Sequence, residues 1–211
     1  MHINDDIRPF HRAAVTASVD VVSQVAIGDL GRPTPCAGWN LGDLLAHMTV
    51  QHNGFAAAAR GNGADLSLWD PATVAAAVAA DPAGAYAAAA ADVLEAFGAD
   101  GVLDVSFAMP EFGPGATVPG AMAIGFHFVD YVVHGWDVAR SIGVPFALPP
   151  EVEAAVLPVA LAVPDTEVRD TPNSPFAHAL APVDGASDLD RVLTHLGRSP
   201  DWRPERVSAD R

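Results

Sequence analysis

One stretch constrains this chain more than any other: GFHFVDYVVHGWDVARSIG, residues 125–143. His127, Asp130 and His134 interrupt an otherwise apolar run there. An α-helix turns by about 100° per residue, so Asp130 and His134 stand about 40° apart, and His127 lies within about 20° of His134. The three polar side chains therefore share one face. A carboxylate and two imidazoles set among Phe126, Phe128, Val129, Val132 and Val133 are costly to bury unless they are paired or bind a metal. A helix that is apolar on most sides belongs at the centre of a bundle. The stretch thus argues for an all-α fold with a polar site inside it.

The remaining chain supplies helices to surround it. Its 211 residues suit one large domain, and half of them are hydrophobic, with abundant alanine. Residues 5–29 read as a first helix, in which Val15, Val19, Val22 and Ala26 form a stripe. Gly28, Gly31, Pro33 and Pro35 end it. His11, near its start, reads as a surface or first-turn residue. Asn40 is the N-cap of a second helix, Asp43 completes a capping box, and Trp39 with Leu44 can form a hydrophobic staple. Leu41, Leu44, Leu45 and Met48 mark the buried face of that helix, and His47 falls within it. His52 is turned about 140° from His47 and is expected to point outward.

Asp70-Pro71 opens a third helix that runs to about residue 97, with Asp81-Pro82 as a point of division. Residues 98–120 are rich in Gly and Pro and read as a crossover loop roofing the bundle, with a short extended piece around Val102, Val105 and Phe107. Glu111 in this loop reads as a solvated carboxylate. The fourth helix begins after Pro119-Gly120 and stops before Gly143, with Asp137 and Arg140 as an i, i+3 pair. A shorter helix from Pro149-Pro150 to about Val163, a Pro-rich arm over 164–185 and a last helix at about 187–197 follow. His195 is expected to be exposed, and the tail after Trp202 to be frayed. The division expected is a bundle over 1–145 and a helical extension over 146–211 packed on it within the same domain.

Charge and cysteine content exclude several function classes. The formal net charge is -15, and every cationic side chain is Arg. Such a chain is a poor partner for nucleic acid phosphates or an anionic membrane surface. The single cysteine, Cys36, rules out an intramolecular disulfide and a Cys-based zinc cage, and reads as a small packed residue. The N-terminal residues lack the pattern of a signal peptide, and the apolar windows carry ionisable groups, so a cytoplasmic location is expected. Apolar bundle faces permit a homodimer.

His47, Asp130 and His134 are the three inward candidates. His and carboxylate ligands suit zinc, nickel or ferrous iron, and three protein ligands leave coordination positions open, as in catalytic sites. From the residues alone, a satisfied polar network of Asp130 and His134 with Tyr131 or Thr49 has equal weight.

Three stretches carry a family resemblance: TPCAGWNLGDLLAHM, HFVDYVVHGWDVARSIG and LDRVLTHLGRSPDW. Together they resemble the metal-binding branch of the DinB / mycothiol-dependent maleylpyruvate isomerase N-terminal superfamily. The resemblance implies a DinB-like four-helix bundle with a long crossover loop before the last core helix and a C-terminal helical extension. It also implies a divalent metal, usually zinc, held by His47, Asp130 and His134. Asp130 is shorter than the Glu or His that the family places there, which makes His127 a reserve ligand. The chemistry implied is a thiol chemistry, with the metal activating a low-molecular-weight thiol such as mycothiol toward an electrophilic small molecule in a transferase or isomerase reaction. Arg140 or Arg32 is then a candidate to hold an anionic group of the thiol cofactor or substrate. The C-terminal domain of the isomerase is not recognisable, so its substrate is not carried over. A non-catalytic stress-related or regulatory metal-binding bundle and a metal-dependent hydrolase are the alternative readings.

Overall fold

The computed structural model describes residues 6–171, 174–181 and 183–204. The remaining residues, including Asp5 and the tail beyond 204, lie outside the described set. Within it the chain is built of seven α-helices and one two-stranded hairpin.

Local chemistry sets most of the boundaries. Helix α1 spans Arg8–Val22, with a proline in its first turn. It ends earlier than the glycines at 28 and 31 suggest. The side chains of Ser23 and Gln24 both donate to the Asp20 carbonyl, and such local bonds compete with continuation of the helical ladder. Helix α2 spans Leu41–Ala59. Asn40 Oδ1 accepts from the Asp43 N–H at 2.9 Å, and Asp43 Oδ2 accepts from the Asn40 N–H at 3.1 Å, completing the capping box. The third helical region is divided at Asp81, giving α3 (Ala75–Ala80) and α4 (Pro82–Phe97). Asp81 accepts from the Gly84 N–H at 2.9 Å and caps α4, while Pro82 occupies its first turn. The crossover loop carries strands β1 (Ser106–Ala108) and β2 (Thr117–Pro119), paired antiparallel. Helix α5, Gly120–Ile142, is the longest at 23 residues. Gly143 ends it in the left-handed region at φ 77°, which a residue with a Cβ adopts only with strain. Helices α6 (Pro150–Leu161) and α7 (Asp188–His195) complete the set.

Four helices form the bundle. α1 lies against α5 and α2 against α4, and the pairs α1–α4 and α2–α5 close the ring. This is the mostly helical, DinB-like architecture expected. α6 rests on α1 and α5, and α7 on α6. One apolar cluster joins Phe128, Val132 and Trp136 of α5 to Val152 and Val156 of α6 and to Val192 and Leu193 of α7. At Gly135 a Cβ would stand 2.8 Å from the Phe146 ring, so this position keeps its neighbours close only while it has no side chain. No helix among the described residues is long and apolar enough to cross a membrane.

Two histidines of the bundle depart from the sequence expectations. His11 is buried rather than on the surface, because the first turn of α1 packs on Phe97 of α4 and Phe128 of α5. His52 is fully buried rather than outward. Helix α2 has apolar neighbours on several sides, from α4, α5 and the 3-10 turns at 66–73, so 140° from a buried face is still interior. Both join His127 in a chain of imidazoles. His11 Nε2 is 2.8 Å from His127 Nδ1, and His127 Nε2 is 3.1 Å from His52 Nδ1. Each link needs one N–H and one bare nitrogen, so neutral rings satisfy both. Tyr131 stacks on His52 and on His127 with centroids 3.9 and 4.1 Å away.

Burial holds all three imidazoles below the ordinary histidine range, His11 down to about 3. Arg12 adds to this at His11, and His11 itself at His52 and His127; Asp130, the carboxylate acting on the latter two, pulls the other way. Tyr86 and Tyr131 also face the chain, and burial keeps both phenols neutral. The unfolded state therefore binds up to three more protons than the folded state below the unfolded histidine pKa of about 6.5. His134, raised to about 9, acts in the opposite sense: its unfolded form takes up a proton as pH falls through about 6.5 while its folded form already holds one, so it offsets a small part of this loss, and its own contribution fades as pH rises toward 9. The contribution of the three imidazoles is thus expected to be full above about pH 7, and net stability to fall by on the order of 5 kcal/mol between pH 7 and pH 5. Denaturant unfolding at pH 7, 6 and 5 measures this, and a flat profile would refute the neutral chain.

Candidate functional site

The centre of the molecule's polar chemistry lies where α2 faces α5. His47 sits on α2 one turn after the cap partner Asp43, and Asp130 and His134 sit one turn apart on α5. One nitrogen from each imidazole and one Asp130 oxygen all lie within 4.8 Å of one another. His134 Nε2 is 3.3 Å from Asp130 Oδ1, and His47 Nε2 is 3.8 Å from Asp130 Oδ2. The short Asp130 reaches both rings, because its two oxygens serve different partners. The His47 and Asp130 side chains are 22% and 20% exposed, against 3% for His134, so the group opens to solvent on the His47 side.

Further polar groups support His134 from behind. Its Nδ1–H donates to Asp137 Oδ2 at 2.9 Å. Asp137 is wholly buried and also accepts from Arg198 at 3.3 Å. Arg198 is 4% exposed and arrives from the segment after α7. Asp137 therefore pairs with His134 and Arg198, not with Arg140 as the i, i+3 spacing suggested. The reason is direction: Asp137 points into the core, whereas the Arg140 guanidinium lies over the Trp136 ring at 5.0 Å and donates to the Pro200 carbonyl at 2.8 Å. Burial alone would lower the His134 pKa, but Asp130 and Asp137 outweigh it and push it up to about 9. Burial would raise Asp130, and the adjacent His134 and His47 hold it well below the usual carboxylate range instead.

The other residues singled out by sequence fall elsewhere. His127 stands outside the three-residue group, with both ring nitrogens engaged by His11 and His52. Tyr131 and Thr49 do not join Asp130 and His134; their hydroxyls donate to the carbonyls of Met48 and Leu45. Arg32 pairs with Asp29 at 2.8 Å and donates to the Ser141 carbonyl. Glu111 accepts from the Gln51 amide. His195 is half-buried, not exposed, and its ring approaches the Val163 carbonyl at 2.9 Å. Burial pushes the Cys36 thiol up to about 11 against the pull of Arg198, so it stays protonated at neutral pH and is a poor nucleophile.

Two contributors were missed in the sequence. Trp39 lies 4.9 Å from the His47 ring and 6.5 Å from the His134 ring, making the segment before α2 a wall of the site. Arg198 is 61 residues from its carboxylate partner, a separation that no helical periodicity reveals. Removing a charge from a buried pair strands its partner, at about 3–5 kcal/mol. Arg198→Met is therefore expected to lose about that much stability in denaturant unfolding, and adding Asp137→Asn to recover most of it. An Arg198→Met variant within about 1 kcal/mol of the parent would refute the pairing.

Comparison with known proteins gives the family and the fold. Residues 11–139 match the family model described as the mycothiol maleylpyruvate isomerase N-terminal domain. Two proteins of Mycobacterium tuberculosis, one from strain CDC 1551 / Oshkosh and one from strain ATCC 25618 / H37Rv, are each 28% identical over 190 residues, covering 90% of this chain and 96% of their own. Both are described as uncharacterised. The crystal structure of a mycothiol-dependent maleylpyruvate isomerase superposes with a TM-score of 0.57 at 15% identity, over 77% of this chain and 70% of that one. A histidine-to-alanine mutant of such an isomerase superposes over the same shares with a TM-score of 0.59 at 13% identity. With more than half its length matched by the family model, and the fold shared, the chain belongs to the mycothiol maleylpyruvate isomerase N-terminal domain family.

Proposed function

We propose that His47, Asp130 and His134 hold a divalent metal, most naturally zinc, and that the protein is a thiol-dependent transferase or isomerase acting on an electrophilic small molecule. The observation that carries this reading is the convergence of three donor atoms within 4.8 Å. A tetrahedral zinc ion with bonds of about 2.0–2.2 Å sets its donors about 3.3–3.6 Å apart. The separations of 3.3 and 3.8 Å run to different Asp130 oxygens, and with one oxygen the three donors lie within 4.8 Å of one another, so an ion would draw them together by up to about 1 Å. The charges fit as well: an anionic Asp130 and a His134 held at a high pKa by two carboxylates describe a place where a cation is favoured, and a metal would displace the His134 proton.

The chain's own residues have distinct tasks in this reading. Asp137 accepts the Nδ1–H of His134, which fixes the tautomer and leaves Nε2 to ligate. Arg198 compensates the buried Asp137 charge and anchors the segment after α7. Trp39 walls the group on one side, and His47 and Asp130 leave the approach from solvent. A bound zinc would lower the pKa of a coordinated low-molecular-weight thiol such as mycothiol, so that it is a nucleophile at neutral pH. Addition of that sulfur to one carbon of an electron-poor double bond would break the π bond and place its electron pair on the adjoining acyl group; uptake of the thiol's proton would give a conjugate, whereas rotation about the resulting single bond and return of the pair with expulsion of the thiolate would give an isomer.

Metal analysis and cobalt substitution test the proposal. The parent is expected to bind one ion per chain and His134→Ala to bind less than about a tenth of that. Full metal in the variant would overturn the ligand set. Adding mycothiol to the cobalt form is expected to produce a sulfur-to-metal charge-transfer band. Stoichiometric cobalt with no thiol-induced band would end the transferase reading, and thiol-independent turnover abolished by chelator would put a hydrolase in its place. Asp137→Asn is expected to weaken metal binding about 10- to 100-fold through loss of the tautomer lock, measured by chelator competition.

A further inference from the structure

Phe126 stands four residues before Asp130 on α5, one turn along and about 40° around, so its ring borders the group formed with His47 and His134. It is 37% exposed, although most of α5 is buried. Edge-on to it, with centroids 5.9 Å apart, lies Phe112 of the crossover loop, which is 61% exposed. The loop holds that ring in place. Pro110 opens the 3-10 turn Pro110–Phe112, and Gly113 ends it at φ 123°, a backbone conformation that favours glycine. Between them Glu111 accepts from the Gln51 amide through both oxygens, at 3.2 and 3.0 Å. Gln51 is one turn beyond His47 on α2, as Phe126 is one turn before Asp130 on α5. His47 meets Asp130 and His52 meets His127, so the two helices run antiparallel. Both contacts of the turn therefore fall at one level of the seam, about 6 Å along it from Asp130. The turn clasps α2 through Glu111 and α5 through Phe112, beside the edge where His47 and Asp130 reach solvent. Trp39 stands at the other end of that edge, against His47 and His134.

We propose that Phe112 and Phe126 form the specificity wall of the site, and that the electrophile it takes is an uncharged molecule whose flat apolar group lies on these rings. Single exposed apolar side chains are ordinary, but two rings in contact beside an open polar group mark a binding surface. Small-molecule sites combine such apolar walls with a few convergent polar groups. Edge-on packing uses the edge of one ring and leaves ring faces free to stack on a flat ligand. Charge points the same way. Asp43 lies one turn before His47, and Glu111 is held at Gln51 one turn after it, so carboxylates flank the opening on both sides. The chain as a whole carries 26 acidic against 11 cationic side chains. A dianion would be repelled on approach, whereas an uncharged apolar group would not. The substrate role rests on the thiol-dependent reading of the centre; the apolar binding site itself does not.

Ligand-observed NMR titration of the purified protein with three matched probes tests this. N-phenylsuccinimide is uncharged, carries a flat apolar ring and has no double bond to which a thiol could add. Succinimide lacks the ring, and N-(4-carboxyphenyl)succinimide adds an anionic group to it. N-phenylsuccinimide is expected to bind saturably at one site per chain, about tenfold tighter than either of the others. Phe112→Ala and Phe126→Ala are each expected to weaken it about fivefold with unchanged metal content, and Phe112→Tyr to retain it. Phe112 is mostly exposed, so its loss leaves the core intact, which denaturant unfolding of the variant checks. No saturable binding of N-phenylsuccinimide, equal or tighter binding of the carboxylated probe, or Phe112→Ala binding as tightly as the parent would each overturn the wall. A thiol-induced cobalt band in protein that does not bind N-phenylsuccinimide would sink this inference and leave the proposed function standing. Probe binding lost in Phe112→Ala, in a protein whose cobalt form shows no band, would keep the apolar site and remove its substrate role.

Discussion

The architecture depends on a carboxylate set between two imidazoles in the seam between α2 and α5. Asp130 is the member with the most to lose from burial, and it persists as an anion because His134 and His47 stand on either side of it. That arrangement demands a definite register between two long helices. His47 must meet Asp130 and His134, and five residues further along α2 His52 must meet His127, which lies earlier on α5. The pairing order fixes the helices as antiparallel and locks them at two levels about 7.5 Å apart along α2. Slippage by one turn would strand a carboxylate at one level and an imidazole at the other.

The two levels bury titratable groups in opposite ways. At the Asp130 level carboxylates alternate with basic groups: Asp130 stands between His47 and His134, and Asp137 between His134 and Arg198. At the His127 level no counter-charge is in contact among the described residues, and burial keeps the three imidazoles neutral. The difference follows from access. His47 and Asp130 reach solvent, where an ion or ligand can exchange, whereas the imidazole chain is enclosed by Phe55, Phe97 and Tyr131. The first suits chemistry, and the second suits only holding three helices together.

How far the sequence discloses this depends on the range of the interaction concerned. Interactions within one or two helical turns were mostly legible, the Asp137–Arg140 pair being the exception because Asp137 turns inward to His134 and Arg198. The shared face of Asp130 and His134, the capping box at Asn40 and the division at Asp81-Pro82 all follow from local geometry, and each has its counterpart in the structure. Interactions across the bundle were legible only where a helix is buried on one side. His47 fell on the apolar face of α2, but His52 was misplaced because that helix is enclosed on several sides. His11 was misplaced because proximity to a helix start says nothing of what packs on that start. Arg198 was invisible for a different reason: its partner is fixed by where the chain after α7 returns, which no residue pattern near Asp137 specifies.

That return has a consequence for the boundaries of the functional unit. The family model ends at residue 139, within α5, and so includes His47, Asp130, His134 and Asp137 but not Arg198. A chain cut there would keep the proposed ligands and lose the cation that permits Asp137 to be an anion while wholly buried. Without it, Asp137 can escape the cost only by taking up a proton or turning outward, and either change withdraws the acceptor that orients His134. Residues after α7 therefore belong to the site in the energetic sense, although they contribute no donor atom to it. The same segment supplies the Pro200 carbonyl to Arg140, so one return of the chain both sets the geometry behind His134 and holds the guanidinium near the end of α5.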